Sequence, residues 1–521
     1  MTTTLSSPSA VGLEGVARGR RRHEVAAVAV VTALGLALRL ALTGNQPFLK
    51  DEYFTYGFVS APFSKLLSPA IAAEPNPPTY YFLQKAWLVL GTSRFAMRSL
   101  PALLGALAIP LVYLIGRRLG GRRVGLVAAL LFASAPVHVR FAREIRCYSG
   151  LTLLACAALT CFLYLLPPPD ERGADTRPAG GARALWWGYG LSVALAVVFH
   201  NTGILLVAVA MLLVATEVLV FGTLTRDATR RLLGVTALAL LPFLLWLPIL
   251  QQQALSHAGT AISWIPPLSF DAVYSQVLGV YEVSRFAKPL VYGFALWSAW
   301  SLVRTRPRVG ALLLVVLVGQ PLLLAAASLV HPVFLVRSLV WPTALFPVLL
   351  ALGVGRLRPV RVQSVAVVAL VAIQLVSARQ LYSARYELSP ADQAARRVEA
   401  EARLGDVVFL LPAPAAWEWD YSVRNSPIRE LPRYAAQYGD AVEPLQLWAP
   451  AEIVARERLR ELARRDAGAV WLVSESGPLL PIPREDGLEP MLDALRAEGC
   501  TVRSTDLGPV VVTRIQARPG S

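Results

Sequence analysis

Residues 99 to 136, "SLPALLGALAIPLVYLIGRRLGGRRVGLVAALLFASAP", hold two apolar runs on either side of four arginines, Arg117, Arg118, Arg122 and Arg123. Charge is costly inside a bilayer, and the short loops on the cytoplasmic side of membrane proteins collect Lys and Arg. The stretch therefore reads as two membrane spans, at about 99 to 116 and 124 to 138, turning around an inside loop.

The same alternation continues in both directions. Upstream, the basic segment Arg18, Arg20, Arg21 and Arg22 leads into a run from Val25 to Thr43 that reads as uninterrupted and apolar, with no small-residue cleavage pattern after it, so it is expected to stay as the first span. Downstream, spans are expected at 147 to 166, 184 to 199, 203 to 222, 231 to 250, 309 to 330 and 361 to 379, with two more ending at "RTRPR" and "GRLRPVR". This makes a polytopic α-helical membrane protein of about eleven spans. The 521 residues are 55% hydrophobic, and the mean hydropathy of +0.51 fits that class.

A formal net charge of +16 invites a nucleic-acid reading, but much of the arginine lies in the short loops that fall on one side. The charge is thus a topology signal, and no nucleic-acid partner is expected. Four cysteines, three of them (Cys147, Cys156 and Cys161) in or beside one apolar segment, give neither a disulfide framework nor metal spacing. Glycine-rich phosphate loops and HExxH motifs are absent from the sequence.

With the basic residues 1 to 24 inside, a first outer loop covers 44 to 98, a transmembrane domain covers 25 to 384, and residues 385 to 521 lie outside. That last segment changes character. "SPADQAARRVEAEARLGD" (389 to 406) opens with Ser389 as N-cap and Pro390 at the first helical position, and it stops at Gly405. "DVVFLL", a charged helix near 451 to 466, "AVWLVS", a helix near 488 to 498 and "GPVVVTR" follow. Short apolar strands alternating with helices predict a small extracytoplasmic α/β domain.

Four clusters share the outer side under this topology: "KDEY" (50 to 53), "AEPNPPTYY" (73 to 81), "FAREIRCYS" (141 to 149) and "FLVRS" (334 to 338). Two readings stand for each. Asp51 and Glu52 are either solvated charge at a span exit or a general base with a neighbour that orients it. Arg143 and Arg146 are either snorkelling anchors or a cationic clamp for a phosphate, and Arg337 has the same two readings. Tyr80 and Tyr81 read as interface anchors. "NPP" is a stiff turn. The outer histidines His138, His200, His257 and His331 hold a metal only if they converge, which spacing does not show.

The order of these motifs resembles the GT-C membrane glycosyltransferases. Within them it is most similar to the bacterial relatives of the protein O-mannosyltransferases and of the aminoarabinose lipid A transferases. The acidic pair after the first span, the Pro-Pro-x-Tyr-Tyr stretch, "AREIRCYSGLTLL" and a late Phe-x-x-Arg-Ser-Leu carry the likeness, which covers residues 25 to 355. The resemblance implies inverting transfer of a sugar from a polyprenyl-phosphate donor on the outer membrane face. Asp51, with Glu52 beside it, matches the catalytic carboxylate. Glu74 matches a second acid before the Pro-Pro, with Asn76 where His or Lys is frequent. Arg143, Glu144, Arg146 and Tyr148 match a donor-binding motif, and Arg337 matches a late Arg that contacts the lipid phosphate. Ser338 stands where Tyr is usual, and Cys147 places a small residue inside the Arg-x-Tyr motif. No cofactor is firmly implied, because arginines supply the charge, although a divalent metal between Asp51 and Glu74 stays open.

The expected enzyme is therefore a hexosyl or pentosyl transferase of the plasma membrane, acting on an envelope lipid, polysaccharide or protein. The alternative is a transporter or flippase of an anionic polyprenyl or glycolipid, which calls for mid-span charges, broken helices and inverted repeats. A third reading makes the spans an anchor for an active α/β domain, but that domain lacks a Gly-rich loop or a clustered acid and histidine set.

Overall fold

In the computed structural model the described residues are 10–60, 63, 76–168, 181–255, 265–383, 390–403, 406–411, 421, 468–475, 489–508 and 510–516. The chain divides into two compact units: residues 1–43, 98–247 and 265–383 form the first, and 44–97, 248–264 and 384–521 the second. The first outer loop thus groups with the C-terminal segment.

Among the described residues the regular elements of the first unit are all helices. Among the described residues, seven helices are long and apolar enough to cross a bilayer, Arg21–Asn45, Arg94–Gly120, Tyr148–Leu165, Gly181–Phe199, Gly203–Val220, Pro307–Ser328 and Val360–Ala378. An eighth arises if Arg226–Ala239 and Leu241–Gln252, bent by 42°, form one span. The expected third span is the 13-residue helix Arg122–Ser134, ended where Pro136 opens a new short helix, Pro136–Phe141. The expected tenth is also short, as Pro342–Val354. Proline supplies the physical reason, because it lacks an N–H and clashes with the preceding turn.

The core of this unit brings Arg122–Ser134 against Phe346–Val354, and Tyr148–Leu165 against Gly181–Phe199. Apolar side chains find no hydrophobic gain against lipid tails, so close van der Waals packing and small residues bring such helices together. A Cβ on Gly125 would stand 2.7 Å from the Tyr113 carbonyl oxygen, so only glycine lets these two helices approach.

The arginine-dense loops between apolar helices are more than a topology signal. Arg117 and Arg122 both pair with the buried Glu24, at 2.8 and 2.9 Å. Arg118 donates to the carbonyls of Leu163 and Leu166. Arg308 of "RTRPR" pairs at 2.9 Å with Glu217, which is fully buried. The run from Val25 to Thr43 is not uninterrupted: Arg39 lies within it, fully buried, its Nη1 donating to the carbonyls of Gly35 (2.9 Å) and Ala133 (3.0 Å).

In the second unit, β1 (Val407–Leu411), β2 (Val470–Glu475), β3 (Thr501–Asp506) and β4 (Val510–Gln516) form one sheet in the order β1-β2-β4-β3. β1 and β2 run parallel, and the other two pairings are antiparallel. Helix Pro390–Glu401 lays Ala394, Ala395 and Val398 on Val408, Trp471 and Val512. Asp406, just before β1, accepts hydrogen bonds from the backbone N–H of Arg403 and Ala469 and from Trp471 Nε1. A second helix, Glu489–Ala497, falls where sequence predicts it. The helix expected near 451 to 466 lies outside the described residues.

One packing prediction follows from the corner that joins Gly181–Phe199 to Gly203–Val220. A Cβ on Gly203 would collide with the backbone of Ala196, whereas one on Gly234, inside helix Arg226–Ala239, would meet nothing within 4 Å. Thermal unfolding in detergent should show Gly203→Ala destabilised, by about 1–3 kcal/mol. Gly234→Ala should instead keep or raise the melting temperature, because alanine is the better helix former.

Candidate active site

The acidic pair opens helix Lys50–Ser60, and both carboxylates lie in its first turn, where the exposed N–H groups favour negative charge. Their side chains differ. Glu52 is fully buried, and its Oε2 accepts the Leu49 backbone N–H at 2.8 Å. This is the back-reaching half of a capping box. Asp51 is half-buried. The helix end is held as well, since Lys85 Nζ donates to the Val59 carbonyl at 2.8 Å.

The buried face of the same helix is aromatic. Tyr53 and Tyr56 lie 3% and 2% exposed, and Tyr421 sits between them and Phe48, with ring centroids 5.9, 4.9 and 4.6 Å away. Arg94 passes 5.7 Å from the Tyr421 ring centroid and pairs at 2.7 Å with the buried Asp392. Tyr421 and Asp392 both come from the C-terminal segment, so that segment fastens the helix that carries Asp51.

Tyr80 and Tyr81, expected as interface anchors, are instead buried in this loop. Tyr81 packs 5.4 Å from Phe58, and Tyr80 donates to Gln84, which in turn donates to the Met97 carbonyl. Asn76 is half-buried in the bend just before helix Thr79–Trp87. Glu74 lies outside the described residues.

The cations lie in the first unit. Residues 142 to 147 turn the chain between Pro136–Phe141 and Tyr148–Leu165, and Arg143 and Arg146 are both buried there. Arg143 reaches the carbonyls of Leu38, Arg39 and Ala41 at the end of the first helix, and that of Leu381 at 3.1 Å. Its guanidinium also lies 4.7 Å from the Tyr382 ring centroid. Glu144 pairs with Arg140 at 3.2 Å, and Arg140 also pairs with Glu282.

Arg146, Tyr148 and Arg337 gather around a residue that the motif reading leaves out. Arg337 Nη1 donates to the Tyr148 hydroxyl at 3.4 Å. The Tyr148 ring lies 5.7 Å from that of His200, which is 7% exposed. His200 belongs to the corner between two candidate spans, and its pKa is pushed down to about 3 by burial and then by the charges of Arg146 and Arg337. Arg337 itself stands on a short helical turn, Val336–Leu339, that Gln320 holds by donating to the Ser338 carbonyl at 3.0 Å. Among the described residues no group of three His, Cys, Asp or Glu side chains converges as metal ligands do. His138 is occupied elsewhere, beside Thr343 and the Phe132 ring.

Residues 49–253 match the family model for dolichyl-phosphate-mannose-protein mannosyltransferase. ArnT from Cupriavidus metallidurans in the apo state superposes with a TM-score of 0.59 at 14% identity, over 96% of this chain and 98% of that one. The same enzyme bound to undecaprenyl phosphate gives 0.58 at 14%, over 94% and 97%. The oligosaccharyltransferase AglB from Archaeoglobus fulgidus, in complex with an inhibitory peptide and a dolichol-phosphate, gives 0.52 at 13%, over 88% and 70%. The chain has the GT-C glycosyltransferase fold. Comparison with curated protein sequences yields no significant match.

The GT-C resemblance read from motif order therefore extends across the whole architecture, including the C-terminal segment that the motifs do not reach. His200 enters the sequence reading as one of four histidines weighed as metal ligands, not as a neighbour of Tyr148 and Arg337. Arg39 stood in plain view within an apolar run.

The two acids of this GT-C chain should separate by experiment. Glu52→Ala removes the acceptor for a buried N–H and should cost about 1 kcal/mol of stability. Hydrogen exchange should then rise along Lys50–Ser60. Glu52→Gln keeps an acceptor oxygen and should retain most of the protection. Equal exchange in all three proteins would remove the cap as the role of Glu52.

Proposed function

We propose that the protein is a glycosyltransferase that moves a sugar from a polyprenyl-phosphate donor to an envelope lipid, polysaccharide or protein on the outer face of the plasma membrane. The observation that carries this reading is the set formed by buried Arg146 and Tyr148 with half-buried Arg337, two guanidinium groups and a phenol at the mouths of apolar helices. A polyprenyl phosphate keeps its tail in lipid and its phosphate at the interface, so it meets cations of this kind at this depth. The GT-C fold and the mannosyltransferase family model support the same class of donor. So do the undecaprenyl phosphate in the ArnT structure and the dolichol-phosphate in the AglB structure.

In this reading Asp51 accepts the proton of the acceptor hydroxyl as its oxygen attacks the anomeric carbon from the face opposite the phosphate. The new glycosidic bond forms while the bond from the anomeric carbon to the phosphate oxygen breaks. Polyprenyl phosphate departs with the electron pair, and the configuration inverts. Arg146 and Arg337 take up the charge that grows on the leaving oxygen, and Tyr148 orients Arg337. Arg143 and Glu144 complete the donor-binding turn by holding its shape, and Glu52 holds the helix that presents Asp51. Glu74 and Asn76 contribute to binding of the donor phosphate or substrate from the first outer loop.

Purified protein in lipid, given a panel of radiolabelled polyprenyl-phosphate sugars and envelope extract, tests the assignment. Wild type should move label into a new product, and Asp51→Asn should lose at least about 100-fold of that rate, in the range of general-base catalysis, while still binding donor. Arg146→Ala should weaken donor binding about tenfold or more, as loss of a charged hydrogen bond does. Full activity in Asp51→Asn would remove it as the base. Donor carried across the bilayer without a new product would instead favour the flippase.

A further inference from the structure

We propose that His200 is an uncharged hydrogen-bond donor to the phosphate of the polyprenyl-phosphate donor, presenting Nε2–H beside Arg146 and Arg337. The inference rests on the glycosyltransferase reading for the identity of the phosphate, but its geometry is independent of that reading.

Three observations carry it. First, the tautomer is fixed. His200 Nδ1 lies 3.0 Å from the backbone nitrogen of Thr202, which donates to it. A backbone N–H can only donate, so Nδ1 carries no hydrogen, and the Thr202 hydroxyl at 2.8 Å donates to the same atom. A neutral imidazole with a bare Nδ1 has its single proton on Nε2. Second, among the described residues the hydrogen bonds of the His200 ring are both made at Nδ1, and Nε2 is not among the fully enclosed polar atoms, so its N–H is open to an acceptor that the chain itself does not supply. Third, the surroundings select an anion. Arg146 and Arg337 both act on the ring, and Tyr148, which packs against it, takes the Arg337 guanidinium on its hydroxyl.

The corner that holds the ring is stiff. Gly203 donates its backbone N–H to the His200 carbonyl at 2.8 Å, and a side chain at Gly203 would strike the Ala196 backbone. Two guanidinium groups and burial hold the imidazole neutral, as its low pKa reflects, so His200 adds a directed donor without adding a third positive charge. That suits the leaving group, whose oxygen gains charge as the glycosyl bond breaks.

The test uses the full-length protein in lipid nanodiscs, with undecaprenyl phosphate as the probe and undecaprenol as its phosphate-free control. His200→Phe should weaken undecaprenyl phosphate binding about tenfold, the loss of one good hydrogen bond to a charged group. His200→Gln, whose amide N–H reaches about as far as Nε2, should recover most of it. Binding of undecaprenol should be the same in all three. If His200→Phe binds the phosphate as tightly as wild type while Arg146→Ala and Arg337→Ala do not, the His200 assignment fails and the phosphate site stands. If neither arginine variant loses affinity, the phosphate site itself fails and His200 falls with it. Should His200→Phe not fold, the tautomer still decides: solid-state nitrogen NMR of histidine-labelled wild type, assigned against His200→Gln, should show His200 with a bare Nδ1 and a protonated Nε2. A proton on Nδ1, or on both nitrogens, would overturn the proposal.

Discussion

The first unit depends on arginine guanidinium groups satisfying backbone carbonyls at the ends of helices. A helix leaves its last four carbonyls without partners, and in a bilayer no water is at hand to take them. Three arginines answer this need around the end of the first span. Arg143 reaches the carbonyls of Leu38, Arg39 and Ala41, Arg98 donates to that of Thr43 at 2.7 Å, and Arg39 donates to that of Ala133. Ala133 lacks its helical partner for a specific reason: the helix ends at Ser134 and Ala135 turns extended before Pro136, which carries the N–H of Val137 out of reach. Each pairing offsets two costs together, a buried cation and a buried unsatisfied carbonyl. The same device recurs at Arg118 with Leu163 and Leu166.

This division of labour sorts the arginines of one motif. Arg143 and Arg146 are three residues apart in the same turn, and a reading of charge alone gives both to the phosphate. The carbonyl contacts of Arg143 give it a different part, fixing the turn against the first span and against Leu381. The acids at 51 and 52 divide in a parallel way. In the first turn of a helix, adjacent side chains point about 100° apart, so one can reach back to the chain while the other faces outward. Glu52 closes the helix, and Asp51 is held where Glu52, Tyr53 and Tyr56 fix it.

How much of this was legible in the sequence follows from what kind of pattern each feature leaves. Spans with clean apolar runs, the helix at Pro390 and strands such as "AVWLVS" announce themselves through periodicity and capping residues. β3, "TVRSTD", does not, because it pairs on one side only, with β4, and its residues are mostly exposed and polar. Helix breaks at Ala135 and Leu240 were hidden because apolar composition continues through them, while proline and local geometry turn the chain. Arg39 was missed because an averaged hydropathy absorbs one charge among many Leu and Ala residues. His200 was weighed only as a metal ligand because its neighbours, Tyr148 and Arg337, are 52 and 137 residues away in sequence. Only folding joins them.

The mixed character of that cluster has a physical logic of its own. In the proposed reaction the sugar-bearing donor is a phosphodiester with one negative charge, and the polyprenyl phosphate left behind is a monoester that carries up to two. A site built from cations alone would strengthen its hold on the product by its full Coulomb attraction, and product release would slow in proportion. A neutral donor beside two guanidinium groups shifts the balance. A hydrogen bond depends on direction and short range, so it strengthens most where charge grows on one oxygen, whereas the field of a guanidinium acts on the whole phosphate. Arg146 and Arg337 on this account set how tightly the lipid phosphate is held. In the same proposal the imidazole, kept neutral by burial and then by their charges, adds discrimination toward the oxygen at which the bond breaks, which connects the burial of a histidine corner to the rate of a transfer step.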